Sequence, residues 1–340
     1  MSEITNKVGL RIKSYRQQKK YSQEKLAGIL NVSKPYISSI ENGKKNPSVN
    51  VLKKILDALE IDIFDFFNDN LKEEFLYAEY RDYFIEKLFK NSEKWYLPSS
   101  GLWDERYMVE MEGLLTKERN KKECRIIKRY INKKNKKILD APCGYGRISN
   151  LLVSNGYNVT GVDVNSYFID IAKTEAEKNN LKVKYITEDI FNFNEKNKYD
   201  VVLNIFTSMG YFESDEKNEL FIKKLCEFLK IGGILIIETV NPFGILKNYK
   251  NKEFFVTNND TKIFQERFFD YRTSTNIERI TDKYSDGRIF KGLHRVRLYY
   301  PHEIIKICQK YGLRNLDILD GDGKRKNILN SMRMWLIFQK

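Results

Sequence analysis

The 340-residue sequence contains only two histidines, His294 and His302, and four cysteines, Cys124, Cys143, Cys226 and Cys308, with no CxxC pair. That spacing excludes a disulfide framework and a zinc knuckle, and so few imidazoles exclude a histidine-rich metal site. Long apolar runs are absent too. Stretches such as Ile234–Ile237 fall far short of the roughly 20 residues that cross a bilayer. The opening MSEITNKVGL lacks the basic-then-apolar layout of a secretory signal. A soluble, cytoplasmic protein without a membrane partner is expected. Internal repeats and low-complexity tracts are missing beyond a Lys/Asn bias. What is present, 41% hydrophobic and 31% charged residues, can fill a core, and the length suits two or three domains.

The net charge is +14, and half of this excess lies at the N-terminus, where residues 1–45 hold ten basic side chains against three acidic ones. Such a concentrated positive field points to a polyanionic partner. Within residues 1–70, apolar residues recur at helical spacing: Val8, Ile12 and Tyr15; Leu26, Ile29 and Leu30; Ile37 and Ile40; Leu52, Ile55, Leu56 and Leu59. Ser22 and Ser33 read as N-caps, Gly43 as a left-handed C-cap, and Pro47-Ser48 as the opening of a fourth helix. Two short helices joined by a tight turn make a helix-turn-helix. At 100° per residue Ile37 and Ile40 share one face of the third helix. Ser38 and Ser39 then turn outward with Lys34 and Tyr36 beside them, a small polar face suited to a major groove.

The segment SQEKLAGILNVSKPYISSIENGKKNPSVNVLKKILDALEIDIFDFF resembles the phage-repressor (XRE) helix-turn-helix family across about residues 5–67. The resemblance implies binding of double-stranded DNA, with Gln23 and Lys44 on phosphates and the Ser33–Ser39 helix on base edges. Paired half-sites would call for a homodimer. Glu41 is expected to act within the domain, because phosphate would repel it.

Residues 71–110 read as a connector rich in charge and aromatics, including Phe75, Tyr77, Tyr80, Tyr83, Phe84, Phe89, Trp95 and Tyr96, and broken at Pro98-Ser99-Ser100-Gly101. These rings either pack domain on domain or, at Trp95 and Tyr96, cover a ligand pocket. From Lys137 onward, strand candidates 137–141, 157–163, 181–187, 199–206 and 234–240 alternate with helices such as Tyr167–Asn179 and Glu216–Leu229. That alternation predicts, over residues 111–340, a doubly wound α/β (Rossmann-like) sheet that binds ligands at its carboxyl edge. Residues 263–300, with a turn at Asp286-Gly287, read as an antiparallel β insert roofing a substrate pocket. The expected fold class is therefore an all-α helix-turn-helix bundle followed by this α/β domain.

The first strand runs into Asp140-Ala141-Pro142-Cys143-Gly144-Tyr145-Gly146-Arg147. Glycines there allow a tight turn and close approach of a ligand. The second strand ends in Asp163, placed to accept both hydroxyls of a ribose, and Asp189 follows the third. A nucleoside cofactor is expected. The third glycine of the dinucleotide fingerprint is absent, since Arg147-Ile148-Ser149 follows Gly146.

ILDAPCGYGRIS, VTGVDVN, EDIFNF, YDVVLNIFTSMGYF and LKIGGILIIET resemble, in order and spacing, the successive motifs of class I S-adenosylmethionine-dependent methyltransferases. By that resemblance Asp140, Gly144 and Gly146 surround the methionine part of S-adenosylmethionine, Asp163 holds the ribose, Asp189 and Ile190 flank the adenine, and Asn204, Ile205 and Phe206 lie beneath the cofactor. Ala141, Pro142, Cys143, Arg147 and Val164 are expected to bind the cofactor as well. Cys143 is expected to be a packed residue, not a nucleophile. No Pro-Pro tetrapeptide follows the fourth strand, which disfavours a base-modifying enzyme. FTSMGYF, with Tyr211, looks more like enzymes acting on small-molecule amines or hydroxyls.

His294, Arg297 and Tyr299 are expected to share one face of the insert and project toward the acceptor, with His294 taking a proton, and the expected catalytic residues are His294, Arg297 and Tyr211. Alternatively, His294 hydrogen-bonds within the sheet and Arg297 pairs with an acid. The expected function is a transcriptional regulator fused to a methyltransferase. The rivals are a noncatalytic cofactor- or metabolite-sensing repressor and a modifier of DNA or protein.

Overall fold

The computed structural model describes residues 3–66, 95–131, 133 and 135–340, which fall into two compact units within Met1–Asn91 and Ser92–Lys340. Residues 71–94 of the connector, with Phe75 to Phe89, lie outside the described residues.

The first unit is a bundle of α1 (Glu3–Gln18), α2 (Gln23–Leu30), α3 (Lys34–Glu41), α4 (Val49–Leu59) and α5 (Ile63–Phe66). Ser22, Ser33 and Ser48 cap α2, α3 and α4 by accepting the amides of Lys25, Tyr36 and Val51. Asn31 turns left-handed at φ 54° and Gly43 at φ 67°. The apolar faces close on a core containing Ile12, Leu26, Ile37, Ile40, Leu52 and Phe66. Gly9 lets α1 lie directly on α3, since a Cβ there would fall 2.0 Å from the Ile40 carbonyl oxygen.

The second unit opens with α6 (Glu105–Met111) and α7 (Lys117–Lys128). A seven-stranded sheet follows, formed by β1 (Lys137–Asp140), β2 (Asn158–Asp163), β3 (Lys184–Thr187), β4 (Tyr199–Asn204), β5 (Leu229–Val240), β10 (Arg314–Asp320) and β11 (Arg333–Gln339). Its order is β10-β11-β5-β4-β1-β2-β3, parallel from β3 to β5 and antiparallel at β11 and β10. Strands β1 and β4 are buried almost throughout, which is why they read as apolar runs instead of alternating. Helices α8 (Arg147–Ser154), α9 (Ser166–Lys178), α10 (Asp215–Phe228), α11 (Pro242–Lys247) and α12 (Pro301–Lys310) connect the strands.

A second, antiparallel sheet runs β6 (Lys252–Val256), β7 (Lys262–Asp270), β8 (Thr275–Lys283), β9 (Ile289–Arg297). The expected insert thus begins at Lys252, ahead of residue 263. Strand β6 is exposed along nearly all of its length and so carries no inside–outside alternation to read. Strand β5 likewise starts at Leu229, where it pairs with Tyr199.

Candidate functional site

The sheet reverses its winding between β1 and β4, and at that switch point the carboxyl ends of the strands diverge into a crevice. A cleft with about 1050 Å³ of free space, open solvent included, lies there. Pro142, Cys143, Gly144, Tyr145 and Arg147 border it after β1; Asp163, Val164 and Asn165 after β2; Glu188, Asp189 and Ile190 after β3; and Ile205 to Ser208 after β4.

The local sequence dictates the turn. Gly144 sits at φ +54° with nothing within 4 Å of where a Cβ would stand, so its open side is free for a ligand. Gly146, at φ +76°, starts α8 under the Tyr185 ring, where a Cβ would come within 2.3 Å of the hydroxyl. Asp140 braces the turn from behind by accepting the Ser149 hydroxyl at 2.7 Å, and burial raises its carboxyl to about 6.

Asp163 lines the cleft. Its Oδ2 accepts the Gly144 amide at 2.8 Å and its Oδ1 the Asn165 amide at 2.9 Å. Burial raises this carboxyl while those amides pull it back toward the charged form. Each oxygen keeps a lone pair for a further donor such as a ribose hydroxyl. Asp189 Oδ1 accepts the Phe191 amide at 2.9 Å, which fixes the loop after β3. A carboxylate at the end of β2, apolar Val164 and Ile190, and a glycine turn open to the cleft suit an adenosyl group.

Asp140, Ala141, Gly146 and Asn204, expected around the cofactor, do not line the cleft. Asn204 donates to the Ala141 carbonyl at 3.3 Å. Cys143 is buried, and burial holds its thiol well above its ordinary range, which fits a packed residue. Phe206 and Thr207 are both left-handed, at φ 72° and 63°. The Phe206 amide donates to Glu238 Oε2 at 2.8 Å, and Glu238 also takes the Arg333 guanidinium. The guanidiniums of Arg119, Arg147 and Arg333 stand over the Phe206 ring at 4.9, 5.3 and 4.8 Å.

The expected catalytic trio does not assemble. Tyr211 lines the cleft, whereas His294 and Arg297 do not. Positions 294 and 297 are an odd number of residues apart and so face opposite sides of β9. His294 Nε2 meets Glu278 Oε2 at 3.3 Å across the strands, under the Trp95 ring. The Arg297 guanidinium lies 2.5 Å from Glu303 and 3.3 Å from Asp215, and Tyr299 is tied to Asp215. The alternative reading of both residues, as members of internal pairs, matches this arrangement.

The segment read at Trp95 and Tyr96, in one of two readings, as a pocket cover does border the cleft, but its Trp103 and Tyr107 were not singled out from the sequence. Tyr96 and Leu97 line it, as do Trp103 and, from α6, Tyr107, while Trp95 is buried behind them. Asn165 Nδ2 donates to the Trp103 carbonyl at 2.7 Å, fastening the segment beside Asp163. Arg106 ties it to β8 through Asp282 at 3.0 Å and pairs with Glu110 at 2.7 Å.

In the first unit, Ser33, Lys34, Tyr36, Ser38 and Ser39 occupy α3 and its cap, with Lys34 exposed and paired with Glu24. Lys44 is exposed beyond α3. Gln23 Nε2 donates to Glu41 at 2.8 Å, and Glu41 holds Arg16 in a buried two-pronged pair at 2.5 and 2.8 Å. Glu41 therefore works inside the domain, and one Gln23 hydrogen expected on phosphate is engaged there.

Residues 12–66 match a family model described as helix-turn-helix, and residues 132–290 one described as methyltransferase domain. A curated relative from Pelagibacter ubique, named ubiquinone biosynthesis O-methyltransferase, is 33% identical over 165 residues, 48% of this chain and 66% of its own length. A protein of the same name from Rickettsia typhi is 37% identical over 32% of this chain and 45% of its own. The chain thus spans less than two thirds of these two relatives. The solved structure of an S-adenosylmethionine-dependent methyltransferase from Clostridium acetobutylicum superposes with TM-score 0.57 at 21% identity, over 68% of this chain and 95% of that one. This chain carries a segment that matches the helix-turn-helix model, followed by a Rossmann-like domain that matches the methyltransferase model.

Proposed function

We propose that the protein is a cytoplasmic, DNA-binding transcriptional regulator whose methyltransferase domain alkylates a hydroxyl or amine of a small molecule. The observation that carries this reading is the cleft itself, which runs from the Asp163 carboxylate to a compartment walled by Trp103, Tyr107 and Tyr211. A small ring fits such walls. The name of the Pelagibacter relative, an O-methyltransferase of ubiquinone biosynthesis, supports a small acceptor.

In the mechanism, Asp163 would accept the ribose hydroxyls of S-adenosylmethionine, and Val164, Ile190 and Asp189 would border its nucleoside. Gly144 lets the chain approach the cofactor, and Arg147 borders the glycine turn. S-adenosylmethionine supplies an already activated methyl group, so alignment of the acceptor provides most of the acceleration. The segment carrying Tyr96, Trp103 and Tyr107 excludes water.

In the first unit, α3 would enter the major groove with Lys34, Tyr36, Ser38 and Ser39 near base edges. Ser33 at its cap and Lys44 beyond it would contact phosphates, and a homodimer would read paired half-sites. The test is transfer of labelled methyl from S-adenosylmethionine to a panel of phenols and amines, with operator DNA alongside. Label in a small molecule is the expected result. Label in the duplex would move the assignment to a DNA modifier, and cofactor binding without transfer to any acceptor would leave a ligand-sensing repressor.

A further inference from the structure

Helix α7 has two unlike faces. Its inner face buries Glu123, Cys124, Ile126 and Ile127, and through Glu123 it holds the guanidiniums of Arg119 and Arg147 beside the cleft. At 100° per residue the opposite arc, about 140° wide, carries Lys117, Lys121, Lys122, Arg125, Lys128 and Arg129 against one acid, Glu118. Lys117, Lys121, Arg125 and Arg129 are exposed.

The charge continues beyond the helix. Residues 117–137 hold eleven basic side chains and two acidic ones, a net +9 that exceeds the +7 of residues 1–45. The turn between β10 and β11 is fastened to α7, where Lys122 meets Asp322 at 2.6 Å and Arg129 donates to the Gly323 carbonyl at 2.6 Å. Lys324, Arg325 and Lys326 follow at once, all exposed, with Arg325 on Asp317.

Solvated helix faces are commonly laced by opposite charges four residues apart. Here Lys117 and Lys121, Lys121 and Arg125, and Arg125 and Arg129 are repulsive steps of that length. Lys117, Lys121 and Arg125 form no ion pair among the described residues. They stand about 6 Å apart in rise, and a polyanion laid along them would relieve their repulsion.

The same face selects among polyanions. A helix that lies on a lipid surface needs an apolar side to enter it, and the apolar residues of α7 are buried inside the domain. A second copy of this face would bring like charge. Duplex DNA offers one phosphate per about 1.7 Å of axis and asks only for cations.

We infer that the outer face of α7 and the adjoining β10–β11 turn form a sequence-independent surface for the phosphate backbone of duplex DNA, distinct from α3. The choice of DNA rests on the DNA-binding reading of the first unit, because a duplex held there is tethered to the second unit at high effective concentration. The basic face itself stands without that reading.

The test follows the fluorescence anisotropy of a labelled random-sequence duplex as full-length protein is added, between about 50 and 200 mM salt. The variant K117Q/K121Q/R125Q should bind at least about tenfold more weakly at the lower salt. Its slope of log affinity against log salt should shrink by about 2–3, for three lost phosphate contacts. Its S-adenosylhomocysteine affinity, measured by calorimetry, should equal that of the wild type. K34A/K44A reports on the first unit separately. If K34A/K44A binds like the wild type while the triple variant loses affinity, the reading of the first unit falls and the surface on α7 stands. Wild-type affinity and slope in the triple variant would overturn the surface. So would a loss seen only with phosphatidylserine vesicles, titrated in parallel, which would make the partner a membrane.

Discussion

Glu110 offers a sharp electrostatic test of how the closing segment is held. Its side chain lies in α6, buried beside Arg106, with Asp282 and Glu278 close by. Burial is the main force that raises its carboxyl to about 7, reinforced by the two neighbouring acids and opposed by Arg106. The unfolded chain releases that proton near 4.5. Between those values the folded state holds a proton that the unfolded state has lost, so stability falls as pH rises through the interval. Below it Glu110 is protonated in both states and contributes nothing to this slope, and above it the loss is complete. A gap of about 2.5 units at 1.36 kcal/mol each gives a penalty on the order of 3 kcal/mol at pH 8.5. Glu110→Gln mimics the protonated acid. Urea unfolding followed by tryptophan fluorescence should give a variant close to wild type at pH 5 and about 3 kcal/mol more stable at pH 8.5. Equal stability of the two proteins at both pH values would refute the buried placement of Glu110.

Asp163→Ala should abolish S-adenosylmethionine binding measured by calorimetry, and retained affinity would remove the ribose site. Gly146→Ala forces a Cβ to within 2.3 Å of the Tyr185 hydroxyl at a left-handed φ. It should lower the thermal midpoint, with a cost of about 1–3 kcal/mol. Arg16→Ala strands the buried Glu41 carboxylate and should destabilise the helix-turn-helix unit by about 3–5 kcal/mol, seen as loss of helical circular dichroism at lower urea. Lys34→Ala should weaken a specific footprint. If the basic unit grips several phosphates, DNA affinity should fall steeply with salt; a flat response would argue against that role.

The sequence made legible what local chemistry encodes. Ser22, Ser33 and Ser48 announce their helices because a cap needs one hydroxyl at one position. The β1–α8 turn is visible because Gly144 and Gly146 fill left-handed positions, and Asp163 because it ends an apolar run. Tyr211 was legible, but its meeting with Trp103 and Tyr107 in one aromatic wall was hidden because the two segments lie about a hundred residues apart and share no spacing. The Glu238–Arg333 pair spans 95 positions and is equally silent in one dimension. His294 and Arg297 looked functional because polar residues on a predicted roof invite that reading, and only the cross-strand acid Glu278 and the neighbours Glu303 and Asp215 reveal their internal partners.

Strand β11 follows β10 in the chain yet lies between β10 and β5 in the sheet, and it brings the arginine that anchors Glu238. On a translating ribosome the central sheet would therefore wait with an open seam beside β5, although the helical unit emerged hundreds of residues earlier. The two halves of this polypeptide would mature at different times. A nascent chain stalled before residue 333 would present a finished helix-turn-helix unit and a seven-stranded sheet still lacking β11.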